Sequence, residues 1–443
     1  MAAERGVDAT SLGAFGTVTR GLRTRGTQWM VVGAVLAGLG AYLFQIIGTR
    51  SLGEVNYAPI GALWTIQYLI VSVVLYPVET YVTHRTLLRR EVEEARDRSS
   101  VRLWGWIAAI AIVLTGVCWL LRDQLFQGSG DLALVVGLVT CTFGAFVIVR
   151  GRLAGNERFR AYGLVTATES LGRAVLSASV VLVAASTRAI AWTMPFGALG
   201  AAGLWLILRR QPRKARGIGV TAAEPLRPVT FLALTMGANG ILQLLLAGGP
   251  LVLTFLGASP AEVSILFVAL TAARVPLFFL FSGLLSRLLP TFLRMAGSDE
   301  GRALRRTASR IAIGTFAAAV LGGLAAAVVG SPVIGLLFGR AFAPPWWVAA
   351  GATTGVLLAT GSMVLNQVLI AQGSPARSLS VWALALAAGG VSLAVLGDSP
   401  TGRVVGAFVI AETVALLGLV VGASRPPARR NADAGPHASE REG

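Results

Sequence analysis

Charge is scarce in this chain, and acid most of all. Only 13% of the 443 residues are charged, and 21 acidic residues stand against 38 basic ones. A soluble domain carries about 25% charge, so this chain has too little to coat a water-facing surface. Its cysteines, Cys118 and Cys141, both fall inside apolar runs, which excludes a disulfide framework and a zinc-ligand spacing. His84 and His437 lie far apart and make no metal pair. There is no phosphate loop, so ATP hydrolysis is not expected. Nothing in the residue pattern points to an enzyme or calls for a cofactor.

What remains is apolar. Hydrophobic residues make up 55% of the chain, and mean hydropathy is +0.71. Crossing the ~30 Å hydrocarbon of a bilayer takes ~20 mainly apolar residues. Twelve such segments are expected, at about 28–47, 58–78, 103–121, 132–149, 163–185, 190–208, 230–256, 262–286, 310–330, 346–371, 378–397 and 404–422. Each is read as a helix, because an open strand leaves backbone groups unpaired in lipid. The first begins near Gln28, too far in for a cleaved leader, and reads as a retained span.

The connections alternate in charge. Arg85, Arg89, Arg90, Arg96, Arg98 and Arg102 follow the second segment, and Arg150, Arg152, Arg158 and Arg160 the fourth. Arg209, Arg210, Arg213, Lys214, Arg216 and Arg227 follow the sixth, and Arg287, Arg294, Arg302, Arg305, Arg306 and Arg310 the eighth. The alternate connections hold Arg50, Arg122, Arg188, Arg340 and Arg403. The positive-inside rule therefore expects both termini in the cytoplasm of an inner-membrane, multi-pass protein. The pI of about 11.4 is spread over short loops, so it calls for anionic membrane lipids rather than nucleic acid.

The chain divides into a basic N-terminal segment (1–27), a first six-segment lobe (28–208), a basic linker (209–228), a second lobe (229–422) and a Pro-, Ala- and charge-rich tail (423–443) expected to be disordered. Internal similarity suggests a duplication. Leu52-Gly53-Glu54-Val55 and Ala62-Leu63 parallel Leu256-Gly257, Glu262-Val263 and Ala269-Leu270. A repeat of even span number relates its copies by an axis along the membrane normal, and such lobes enclose a cavity about which they rock.

Three of these stretches resemble the polysaccharide-flippase branch of the multidrug/oligosaccharidyl-lipid/polysaccharide (MOP) exporter superfamily. Ile46-Ile47-Gly48-Thr49-Arg50-Ser51-Leu52-Gly53, followed by Tyr57, is similar to that branch's turn after the first helix. Arg150-Gly151-Arg152-Leu153-Ala154-Gly155-Asn156-Glu157-Arg158-Phe159, leading to Glu169 and Arg173, is similar to its glycine-rich loop and acid-then-Arg fifth helix. Gly339-Arg340-Ala341-Phe342-Ala343-Pro344-Pro345 resembles its entry to helix ten. The resemblance implies an all-α, MATE-like membrane fold: twelve transmembrane helices in two six-helix lobes around a central cavity. It also implies transfer of an isoprenoid-diphosphate-linked oligosaccharide between leaflets, with glycosyltransferases or a polymerase of the same pathway as partners. The turn carries Ala58 where the branch often has Gly. Helix seven lacks the acid many relatives carry, so the resemblance supplies no cation-coupling residue there.

An ionisable group near mid-bilayer costs about 2.5–3.5 kcal/mol on insertion scales and usually faces a cavity or a partner. Glu169, Arg173, Arg274 and Glu412 are such groups. Arg173 lies about 16 Å in from Tyr162 at helical rise. Glu169 and Arg173 share one helix face, either as a neutral structural pair or as a switch or headgroup contact. Arg274 has no acid at helical spacing and aligns with Gln67 in the internal repeat. It is read either as a bidentate ligand for a diphosphate or as a partner of Glu412 or Glu169. Glu412 is either a proton carrier or a protonated, hydrogen-bonded acid.

Asn239 and Gln243 lie in a glycine-rich seventh segment, with Gly248, Gly249 and Pro250 beyond them, read either as an easily bent hinge or as a helix whose glycines serve close packing. Glu79, Tyr81, His84 and Arg85 read as a solvated helix end, with a headgroup contact as the alternative. The expected function is flipping of a lipid-linked oligosaccharide by alternating access. The alternatives are a cation-coupled small-molecule or drug antiporter of the same superfamily, or a non-transporting membrane scaffold.

Overall fold

Hydrocarbon offers a backbone amide no water, so the apolar segments close their hydrogen bonds internally. Among the described residues every regular element is a helix. The computed structural model describes residues 25–88, 98–208, 228–275, 292, 301–397 and 399–424. Most of the basic linker, nearly all of both terminal segments and the far half of the eighth expected segment lie outside them.

The elements of the first half are α1 (Arg25–Leu69), a π-helical turn (Ile70–Leu75), α2 (Tyr76–Leu88), α3 (Arg98–Leu120), α4 (Arg122–Phe126), α5 (Gly130–Gly155), α6 (Phe159–Val183) and α7 (Thr187–Leu208). The second half has α8 (Pro228–Ala247), α9 (Gly249–Phe255), α10 (Pro260–Ala273), α11 (Gly301–Phe338), a 3-10 turn (Arg340–Phe342), α12 (Trp346–Ala371), α13 (Pro375–Val395) and α14 (Pro400–Ser424). Each expected segment is helical over most of its described length. Seven of these stretches are long and apolar enough to cross a membrane, eight if the bent α8–α9 pair is one span.

The first stretch folds back on itself. Gly53 sits at φ 71°, a conformation open to glycine and costly for other residues. Phe44 and Trp64, on either side of it, stack at 5.3 Å. In one straight helix those rings would be roughly 30 Å apart, so the two legs of α1 run antiparallel. Tyr57 donates across the hairpin to Gln45.

In the first half α1 packs on α6, α6 on α7, and α5 on α2, α3 and α7. In the second, α11 packs on α12, α14 on α12 and α13, and α8 on α13. The halves meet where α1 touches α10, α11 and α8. At the Gly53 end the ring of Tyr57 lies 6.1 Å from Phe267 and 5.8 Å, edge-on, from Phe342. Ser259 and Glu262 start α10 with a reciprocal capping box.

Large apolar side chains also cover the outside. Ile313, Phe316, Leu321, Leu324, Val328 and Leu336 of α11 are all exposed. A continuous apolar face of this extent belongs against lipid.

Between α1 and α6 the backbones nearly touch. A Cβ on Gly163 would lie 2.2 Å from the Trp29 carbonyl oxygen, and one on Gly33 would lie 2.4 Å from Gly163 Cα. Small residues permit this approach, which is how membrane helices gain contact without a hydrophobic driving force. Gly163→Val is expected to cost about 2 kcal/mol or more through overpacking. Gly172→Ala, on the same helix with nothing within 4 Å of the new methyl, should be neutral or slightly stabilising. Thermal unfolding of the two variants in detergent checks both.

Candidate functional site

Proline creates the polar groups from which the seam between the halves is built. It carries no N–H, so the carbonyl one helical turn before it loses its partner. Pro250 does this to Leu246, where α8 breaks into α9 with a 67° bend. The bend, one of the two readings of the glycine-rich segment, is therefore present. Arg274, the residue that ends α10, donates from Nη2 to the Leu246 carbonyl.

Pro77 acts similarly at the start of α2, where the second leg of the hairpin continues beyond α1. The helix widens to a π turn over Ile70–Leu75, and the Tyr76 N–H bonds the Val71 carbonyl, five residues back. In that register the Ser72 carbonyl would need an N–H from residue 77, which is proline. Asn239 of α8 donates to it instead, at 3.3 Å.

The same seam holds two tyrosines. Tyr68 donates to Gln243 Oε1 at 2.8 Å, and Tyr42 donates to the Thr271 carbonyl at 2.7 Å. The Arg274 guanidinium lies 5.7 Å from the Tyr68 ring centre. Arg274 is half-buried, and among the described residues no carboxylate forms an ion pair with it. Its Nε is buried without a partner. Pairing with Glu169 or Glu412, the alternative open at the sequence level, is not found.

The other site residues sit elsewhere. Glu169 and Arg173 pair at 3.3 Å inside the first half, with Arg173 only 3% exposed. Its guanidinium lies 4.4 Å from the Trp64 ring and 5.4 Å from Phe44. Gln67 Oε1 accepts from it at 3.5 Å, and Ser170 donates to Glu169 at 2.6 Å. Gln67 therefore belongs with Arg173, while its neighbour Tyr68 faces Arg274.

Glu412 lies in the second half's interior, 0% exposed, with neither carboxyl oxygen hydrogen-bonded. Ser362, on the adjacent α12, is also buried without a partner. The seven residues thus fall into three places: Arg274, Asn239 and Gln243 at the seam, Glu169, Arg173 and Gln67 in the first half, and Glu412 in the second.

One expectation is corrected. Glu79 is not a solvated helix end; it is 8% exposed and pairs with Arg150 at 3.2 Å. Tyr162 donates to Glu79 at 2.9 Å and accepts from Arg150. Gly151 and Gly155 permit the close packing of α2 on α5 that encloses the cluster. Tyr81 is exposed as expected, and the side chains of His84 and Arg85 lie outside the described set.

No family model matches the chain. An uncharacterized protein of Mycobacterium tuberculosis H37Rv is 26% identical over 401 residues, covering 83% of this chain and 85% of that protein. A second from the same strain is 23% identical over 381 residues, covering 83% and 86%. Among solved structures, an outward-facing multidrug-resistance MATE transporter of the MOP superfamily aligns with a TM-score of 0.56 at 14% identity, covering 90% of this chain and 96% of that one. A MOP-superfamily transporter from Pyrococcus furiosus, whose reversed pocket polarity suggests a different function, gives 0.55 at 13%, covering 90% and 95%. A eukaryotic MATE transporter gives 0.57 at 11%, covering 90% and 94%. The chain has the all-helical fold of the MATE-like transporters of the MOP superfamily.

Two mutational outcomes follow from these contacts. Glu79→Leu strands the Arg150 charge and is expected to cost about 3 kcal/mol, read as a lowered unfolding midpoint. Asn239→Ala is expected to cost about 1 kcal/mol in the native background and little in Pro77→Ala, where a regular helix supplies its own N–H. A double-mutant cycle measures that difference.

Proposed function

We propose that the protein is a transporter that moves an isoprenoid-diphosphate-linked oligosaccharide across the cytoplasmic membrane by alternating access. The arginine-rich connections and both termini face the cytoplasm in this reading. Glycosyltransferases or a polymerase of the same pathway work beside it. The observation that carries the proposal is Arg274: a half-buried guanidinium at the seam, with no carboxylate partner among the described residues and a buried Nε still free. A guanidinium so placed suits a diphosphate, which accepts two parallel N–H donors. Tyr42, Tyr68, Asn239 and Gln243 supply polar neighbours from α1 and α8. The glycan crosses between the halves while the lipid tail stays in the bilayer.

The antiporter reading draws on a different observation. Glu412 is a fully buried carboxyl with two unbonded oxygens, chemistry suited to carrying a cation against a small-molecule cargo. An efflux assay in the deletion strain separates the two. Drug hypersensitivity without a glycan phenotype favours the antiporter.

The direct test follows lipid-linked glycan by leaflet. Deletion is expected to accumulate it on the inner face, and its absence there sinks the proposal. Arg274 also caps the Leu246 carbonyl, so Pro250→Ala is made first to give that carbonyl a backbone donor. In this background Arg274→Gln is expected to stay folded and to transport roughly tenfold more slowly or worse, the loss of about one charge-assisted contact.

A further inference from the structure

The connections at the Gly53 end hold few arginines, and most of these are satisfied within the protein. Arg122 pairs with Asp123 at 3.9 Å and Arg188 with Asp131 at 3.3 Å. Arg403 donates to the carbonyls of Leu396 and Gly397 at 2.9 and 2.7 Å. Arg50 is bonded in the same way to two carbonyls and Arg340 to no side-chain partner among the described residues; the two line one cleft of about 600 Å3 together with Ser331, Pro332, Gly335, Leu336, Gly339 and Ala343. That volume is within the range of small-ligand sites.

Arg50 comes from the first half and reaches the end of α11. Its Nε donates to the Leu337 carbonyl at 2.9 Å and its Nη2 to the Leu336 carbonyl. These are last-turn carbonyls that the helix leaves unbonded. Arg50 thereby offsets the negative end of α11, and its Nη1 has no hydrogen-bond partner among the described residues. Arg340, in the turn after α11, is exposed and has no ion pair or side-chain hydrogen bond among the described residues. Glu54, the acid nearest Arg50 in sequence, pairs with neither. Two guanidinium groups therefore share a cleft that no carboxylate among the described residues lines, and the α11 carbonyls offset only the charge of Arg50. Beside it Val329, Val333, Leu336 and Leu337 are exposed along the apolar face of α11.

We infer that this cleft binds the phosphate-bearing headgroup of an anionic membrane lipid, with the lipid's chains lying along α11. The phosphate supplies the missing negative charge and accepts from Arg340 and Arg50 Nη1. The apolar flank is what selects a lipid over a free phosphate. The inference is independent of the cargo assigned above.

The test places a fluorophore on Ser331→Cys in a Cys118→Ala, Cys141→Ala background of the full chain, reconstituted in phosphatidylcholine nanodiscs. Spin-labelled phosphatidylglycerol and spin-labelled phosphatidylcholine are titrated as quenchers. Phosphatidylglycerol is expected to quench at roughly tenfold lower mole fraction, and Arg340→Gln to erase that preference, as one charge-assisted contact predicts. Arg340→Lys should retain most of it. Equal quenching by the two lipids, or a preference unchanged in Arg340→Gln, overturns the inference. Inorganic pyrophosphate relieving the quench at millimolar concentration would show a free-phosphate site and overturn the lipid assignment. A short polyprenyl diphosphate displacing phosphatidylglycerol while pyrophosphate does not would support it and identify lipid diphosphates as a second source of the same headgroup chemistry.

Discussion

A carbonyl that loses its helical partner inside hydrocarbon has no water to replace it. Much of what joins the parts of this molecule answers that constraint. Pro59 frees the Val55 carbonyl, and Gln127 donates to it at 3.0 Å from the loop after α4. Pro250 frees Leu246 for Arg274, and Pro77 with its π turn frees Ser72 for Asn239. The end of α11 is closed by Arg50 from the opposite half. At these four places a freed carbonyl becomes a fixed point for a side chain from elsewhere. An unmet buried carbonyl costs about 1–3 kcal/mol, a penalty that falls on the part-buried Leu246 and Ser72 oxygens; the contacts to Val55 and to the end of α11 are exposed and mainly specify how segments sit against one another.

The buried charges follow a second rule. Glu169 with Arg173, and Glu79 with Arg150, are each neutral as a pair and further held by hydroxyl or amide partners. Arg173 also faces two aromatic rings, a favourable place for a desolvated cation. Arg274 and Glu412 are the exceptions, in different parts of the molecule: one at the seam, one inside the second half. The first half is thus rich in internally neutralised charge, and the seam keeps a cation that, among the described residues, is hydrogen-bonded to a carbonyl and to no carboxylate.

The architecture was legible because hydropathy and arginine placement are local signals. Each expected segment is helical over most of its described length, and the bend after Ala247 falls where glycines and a proline allow either a hinge or close packing. The Glu169–Arg173 pair was equally visible, because helical spacing alone brings those residues together. What escaped were partnerships between segments distant in sequence. Glu79 looked like a solvated helix end because Arg150 and Tyr162, which bury it, lie far along the chain. The repeat alignment of Arg274 with Gln67 does not tell which group each faces: Gln67 turns toward Arg173, and Tyr68 toward Arg274. The proline-freed carbonyls were written in the sequence, but the donors that meet them were not.

The Leu246 carbonyl is available to Arg274 because α8 is broken at Pro250. An anion that captured the whole guanidinium would have to leave that oxygen bare or let the chain around it rearrange. Ligand occupancy and helix shape are therefore thermodynamically linked: a ligand that draws the guanidinium off the Leu246 oxygen weakens the bent form that presents it, and a change of bend that moves the oxygen away frees the guanidinium for an anion. By reciprocity the two effects are equal in size.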